Sequence, residues 1–115
     1  MLSDMGAIYT LGRSPGTDIS DNLIRKVEGY PAYGPGAWGI YNDEGSAELS
    51  VSGNVVIETQ SGAYHLHYGK DIDVSDNLFA GTTDTQVRWT SPQKSGNWRL
   101  INNTIINNSP RWLEI

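Results

Sequence analysis

Apolar residues in this chain come in short runs with alternating character, bounded by Gly, Asn, Asp and Ser. Each run is four to six residues long and rich in Ile, Val, Tyr and Trp, the composition of half-buried strands. No window longer than about ten residues keeps apolar positions at the helical spacings of 3, 4 and 7. The segment Leu23 to Val27 could close one helical turn and no more. The pattern predicts an all-β chain.

The runs recur in order. Ile19-Ser20-Asp21-Asn22-Leu23-Ile24, Val51-Ser52-Gly53-Asn54-Val55-Val56, Val74-Ser75-Asp76-Asn77-Leu78-Phe79 and Leu100-Ile101-Asn102-Asn103-Thr104-Ile105 share one signature, with asparagines at intervals of 32, 23 and 26 residues. A second element precedes each signature: Gly6-Ala7-Ile8-Tyr9, Gly39-Ile40-Tyr41-Asn42, Ala63-Tyr64-His65-Leu66 and Val87-Arg88-Trp89-Thr90. Self-similarity with a period in the twenties marks a solenoid whose repeats are stacked coils. Each coil reads as strand, turn, strand, asparagine corner, short apolar strand. The expected architecture is a parallel β-helix of about four coils, one domain spanning residues 1–115. Asn tolerates the left-handed backbone of a tight corner. Stacked every ~4.8 Å, Asn22, Asn54, Asn77 and Asn103 can form a ladder of amide hydrogen bonds, which makes them structural and not ligands.

Composition removes several classes of function. The 115 residues carry a net charge of −5, which argues against a nucleic-acid partner, since that partner requires a basic stripe. No basic amphipathic helix suits a membrane surface, and no run of 18 apolar residues or signal-peptide pattern is present. Without cysteine there is neither a disulfide framework nor a thiolate site. No cofactor is expected.

The strings Met5-Gly6-Ala7-Ile8-Tyr9-Thr10-Leu11-Gly12-Arg13, Trp38-Gly39-Ile40-Tyr41-Asn42-Asp43-Glu44-Gly45-Ser46 and His65-Leu66-His67-Tyr68-Gly69-Lys70-Asp71 resemble the right-handed parallel β-helix repeat proteins of pectate-lyase-like fold, in a branch with glycoside-hydrolase-like members. The likeness runs from about Met5 to about Ile106. It implies a right-handed helix and a link to polysaccharides, with a secreted or cell-envelope setting if the chain belongs to a longer carbohydrate-active protein. Such proteins usually have many more coils and a capped N-terminal end, so this chain is expected to be a piece of a longer solenoid.

Side chains alternate along a strand. If Ile8, Ile40, Tyr64 and Val87 stack inward, Tyr9, Tyr41, His65 and Arg88 form an outward column, and Leu11, Asp43, His67 and Thr90 the next. Asp43 then sits beside His67 and Tyr41 beside His65, so both histidines of the chain fall in one polar and aromatic cluster. A carboxylate next to an imidazole suits general acid/base work. The same group could bind a divalent metal such as zinc, or be a solvated surface pair. Glu44 should face inward by alternation, at a cost for an unpaired charge, unless it turns out at the corner before Gly45. The candidate catalytic set is Asp43, Glu44 and His67, with Asp71 a further carboxylate. Tyr9, Trp38, Tyr41, His65 and Arg88 would bind substrate, Arg88 through a carboxylate.

The long first interval holds a Gly/Pro-rich loop, Glu28 to Gly36, where Tyr30, Tyr33 and the following Trp38 either stack on sugars or pack down on the coil. Three functions remain in order of fit. They are a glycoside-hydrolase-like module acting on a polysaccharide or oligosaccharide, a non-catalytic β-helix for glycan binding or self-assembly, and a polysaccharide lyase. Open end coils further predict a homo-oligomer joined through the solenoid ends.

Overall fold

The structure is a computed structural model that describes residues 3–30 and 36–115. Tyr33, one of the three candidate rings of the long loop, lies outside the described residues. Twelve strands form four coils of three. The first coil is β1 (Met5–Thr10), β2 (Arg13–Ser20) and β3 (Leu23–Val27), and the second is β4 (Ala37–Asn42), β5 (Ser46–Ser52) and β6 (Val55–Thr59). The third is β7 (Gly62–His67), β8 (Gly69–Ser75) and β9 (Leu78–Ala80). The fourth is β10 (Val87–Thr90), β11 (Trp98–Ile101) and β12 (Thr104–Ile106), and a short β13 (Leu113–Glu114) follows. Among the described residues the one helical element is a 3₁₀ turn, Pro92–Lys94.

Corresponding strands pair in parallel. Sheet A has the order β1-β4-β7-β10-β13, sheet B β2-β5-β8-β11 and sheet C β3-β6-β9-β12. The chain is a parallel β-helix. Leu23 to Val27, where one helical turn was conceivable, is strand β3 because Leu23, Ile24 and Arg25 pair with Val55, Val56 and Ile57 of the next coil.

Inside, like stacks on like: Ile19, Val51, Val74 and Leu100 from sheet B meet Ile24, Val56, Phe79 and Ile105 from sheet C. Sheet A contributes Ile8, Ile40, Tyr64 and Val87, paired coil by coil as the repeat predicts. Buried Tyr64 needs a partner for its hydroxyl. It donates to Asn42 Oδ1 at 2.7 Å, and Asn42 Nδ2 donates in turn to Thr10 Oγ1 at 2.8 Å.

The corner between sheets B and C is the same two-residue device in every coil: Asp21-Asn22, Gly53-Asn54, Asp76-Asn77 and Asn102-Asn103. The first residue of each pair has φ between 54° and 66°, the left-handed region open to Gly, Asn and Asp. The second builds the ladder. Asn22 Nδ2 donates to Asn54 Oδ1, Asn54 Nδ2 to Asn77 Oδ1, and Asn77 Nδ2 to Asn103 Oδ1, each at 2.9 Å. The same oxygens accept the backbone N–H of the preceding rung, and the second amide proton of Asn54, Asn77 and Asn103 goes to Ile19, Val51 and Val74 carbonyls.

Candidate functional site

Sheet A departs from strict alternation at one place, and that departure builds its outer face. In β4 Ala37 and Ile40 both belong to the core, and a Cβ on Gly39 would also point inward, against Val56 and 2.6 Å from the Ala63 carbonyl oxygen. In β7 the neighbours Ala63 and Tyr64 are likewise both in the core. One extra inward residue per strand behaves as a bulge does, re-aiming what precedes it. Trp38 is thereby turned to the outer face, in register with Gly6 and Gly62. A side chain at Gly62 would meet the indole, its Cβ 2.6 Å from Trp38 Cζ3, so glycine makes the room.

The expected outward column is present: Tyr9, Tyr41, His65 and Arg88 are in register across β1, β4, β7 and β10. Its members are packed against one another. The Tyr41 and His65 rings stack at 4.4 Å with 13° between planes, Tyr9 meets Tyr41 edge-on at 5.2 Å, and Trp38 leans on His65 at 4.4 Å. Arg88 lies over the Trp38 ring, 5.2 Å from its centroid.

This packing leaves three of the expected substrate-binding residues without a free face. Trp38 has no exposed surface, so it packs down on the coil and offers no platform to a sugar. Arg88 is engaged by Glu114, its Nε at 3.1 Å and Nη2 at 2.5 Å from Oε2, with Asp84 at 3.9 Å. Bound this way, it does not offer the free guanidinium that a substrate carboxylate requires. His65 is 6% exposed, and burial, helped by the nearby Arg88 charge, pushes its pKa down to about 3. It is a neutral ring held inside an aromatic stack. Tyr30, also on the long loop, is 60% exposed.

The second column carries the open chemistry. Asp43, at the end of β4, is 9% exposed and accepts a hydrogen bond from the Tyr9 hydroxyl. That bond, with burial and the Asp43 charge behind it, pushes the Tyr9 phenol up to about 12. Burial, then the same charge, raises Tyr41 as well. Glu44 sits in the turn between β4 and β5 and faces out, its side chain 60% exposed, so the inward charge that strict alternation implied is avoided. His67 Nε2 lies 4.0 Å from Glu44 Oε1 with the histidine side chain 30% exposed. Thr90 is in register with His67, and its hydroxyl bonds both His67 Nδ1 at 2.8 Å and His65 Nε2 at 3.0 Å. Tyr68, next after β7, lies under Lys94, whose Nζ is 5.1 Å from the ring centroid.

No protein-family model, no curated protein and no solved structure matches this chain.

Asp71 stands apart from the group. It lies in β8 on sheet B, where Asn97 Nδ2 donates to it at 3.2 Å. Among the described residues no group of three or more His, Asp or Glu is arranged to hold a metal ion. A cleft of about 450 Å³ at the edge of sheet C, lined by Glu28, Glu58, Gln60 and Thr83 among others, includes none of the candidate site residues. The sheet A face is a shallow surface, with Glu44, His67, Tyr9 and Tyr68 at its open rim.

Thr90 and the glycine pair are what sequence reasoning missed. Thr90 stood in the outward column beside His67 without a role, although a hydroxyl between two imidazoles is a ready hydrogen-bond bridge. The glycines flanking Trp38 in register were visible as the conserved spacing of Gly6 and Gly62 ahead of Tyr9 and His65 within the chain's own repeat.

Proposed function

We propose that the outer face of sheet A is a carbohydrate-active surface of glycoside-hydrolase-like type. Glu44 and His67 are its exchanging acid/base pair, and Asp43 is a fixed carboxylate beside them. The observation that carries this reading is the Glu44–His67 pair, 4.0 Å apart at the open rim. A carboxylate and an imidazole so placed can move a proton on either side of a glycosidic oxygen. A carboxylate at Asp43, fixed in place by the Tyr9 hydroxyl, can offset the positive charge that develops on a sugar ring. Tyr9, 45% exposed, offers a ring edge to a sugar. The resemblance to pectate-lyase-like β-helices supports a polysaccharide or oligosaccharide as the substrate class. The acidic chain favours a neutral glycan.

A second reading, glycan binding without catalysis, is favoured by one specific observation. Trp38, His65 and Arg88 are consumed in internal packing and pairing, which leaves a shallow face with few free groups. The same pairing of Arg88 weakens the lyase reading, which needs a cation free for a uronate.

The test is release of reducing ends from a panel of neutral plant and bacterial glycans, run beside affinity electrophoresis on the same glycans. Hydrolysis is expected, with Asp43→Asn abolishing it and Glu44→Gln or His67→Ala lowering it about 10²- to 10⁴-fold, the usual weight of acid/base groups. Retardation without reducing ends would replace catalysis by binding. Neither signal on any glycan would end the carbohydrate reading.

A further inference from the structure

Two histidines share one hydroxyl. Thr90 Oγ1 lies 3.0 Å from His65 Nε2 and 2.8 Å from His67 Nδ1. A threonine hydroxyl carries one proton and two lone pairs, and among the described residues Thr90 Oγ1 has no hydrogen-bond partner besides the two rings, so its proton goes to one ring and it accepts from the other. Two arrangements satisfy this. In the first, His65 Nε2–H donates to Thr90, Thr90 donates to His67 Nδ1, and the proton of neutral His67 is left on Nε2. In the second every bond is reversed, and neutral His65 carries its proton on Nδ1.

The surroundings of His65 decide between them. Its Nδ1 is buried and has no hydrogen-bond partner. As a bare ring nitrogen it forgoes one acceptance. As an N–H it would be a buried donor with nothing to receive it, the costlier and rarer arrangement. The first arrangement wins. A charged His65 would need the same orphaned N–H, and burial with the Arg88 charge already keeps the ring neutral.

We propose that Thr90 is a positioning residue that locks neutral His67 as the Nε2–H tautomer, so that the resting ring presents an N–H hydrogen-bond donor to the rim and keeps its bare nitrogen on Thr90. The donor edge is the one turned to Glu44, whose carboxylate is the acceptor of the pair. Resting on the carbohydrate reading above, this gives each member a part: His67 donates a hydrogen bond to an oxygen of the glycan, and Glu44 is the group that exchanges the proton. Among the described residues the charged and titratable groups around the two rings are Tyr9 on β1, Tyr41 on β4, Asp43 and Glu44 in the turn after it, Tyr68 after β7, Arg88 on β10 and Lys94 in the 3₁₀ turn.

The test is nitrogen NMR of ¹⁵N-labelled histidine side chains, recorded where both rings are neutral. In the unaltered protein, His67 is expected to be protonated at Nε2 and bare at Nδ1, with His65 protonated at Nε2. Thr90→Val, which removes the hydroxyl and keeps the shape, should turn the His67 signals into those of a tautomer mixture. Thr90→Ser should restore the pure form. A neutral His67 protonated at Nδ1, or signals in Thr90→Val identical to those of the parent, would overturn the proposal. Where hydrolysis is measured, Thr90→Val should lower kcat about fivefold, the weight of one ordinary hydrogen bond, with KM unchanged. The expected tautomers in a protein that neither binds nor cuts any glycan would remove the carbohydrate reading and leave the lock standing. Hydrolysis with the opposite tautomers would do the reverse.

Discussion

Replacing Asn54 by alanine should destabilise the protein far more than the same change at Asn22, although the two residues occupy the same place in the repeat. The Asn54 side chain makes four hydrogen bonds. Its Oδ1 accepts the backbone N–H and the amide of Asn22, and its Nδ2 donates to the Ile19 carbonyl and to Asn77 Oδ1. At ~1 kcal/mol net for each, the loss is about 4 kcal/mol, a large part of a typical domain stability of about 5–15 kcal/mol. Asn77 Oδ1 keeps one donor, the Asn54 backbone N–H, so the upper rung survives in part. The Asn22 side chain only donates, to Ser20 O and Asn54 Oδ1, the first of these on the exposed side. Its removal should cost about 1 kcal/mol. Urea denaturation followed by tryptophan fluorescence measures both. With a slope of about 2 kcal/mol per molar, Asn54→Ala should lower the midpoint by about 2 M and Asn22→Ala by about 0.5 M. Asn54→Asp should be at least as damaging as Asn54→Ala, because it turns the donor edge, facing two acceptor oxygens, into a third acceptor. Equal losses at Asn22 and Asn54 would show that the amide ladder is not what the corner contributes.

Gly39→Ala should cost about 1–3 kcal/mol, since its methyl would press on Val56 and the Ala63 carbonyl, and an unchanged melting temperature would refute the inward bulge. His65 has a folded-state pKa depressed to about 3, against about 6.5 unfolded, so its contribution to stability is complete above about pH 6.5 and lost as pH falls toward 3. His65→Gln, neutral throughout, should flatten that part of a midpoint-against-pH curve, and identical curves for variant and parent would refute the assignment.

The fold was legible because its determinants repeat. Asn22, Asn54, Asn77 and Asn103 each act at the same corner, and a signal given four times survives the noise of any one copy. The register of Tyr9, Tyr41, His65 and Arg88 followed from aligning those corners. The state of those side chains did not, because it depends on neighbours far apart in sequence. Glu114 takes Arg88 from 26 residues away, and Trp38 is buried only because glycines stand above and below it. Alternation also assumed one residue per step, and the inward pairs Gly39-Ile40 and Ala63-Tyr64 break that count. Exposure of an outward column is a collective property of the surface, and single-strand alternation carries no information about it.

The asparagine corner has a consequence for how such a chain can vary in length. Every passage from sheet B to sheet C is two residues, because an added residue would lift one rung out of reach of the next. The passage from sheet A to sheet B has no such tie and ranges from Tyr68 alone to the stretch 91–97, and that from sheet C to sheet A from Gln60-Ser61 to 28–36. Sheet A is thus the one wall whose two borders are both elastic. Segments can lengthen on either side of Asp43 and His67 without disturbing the spine opposite, so the contour around this face can be remodelled while the coil that carries it stays constant.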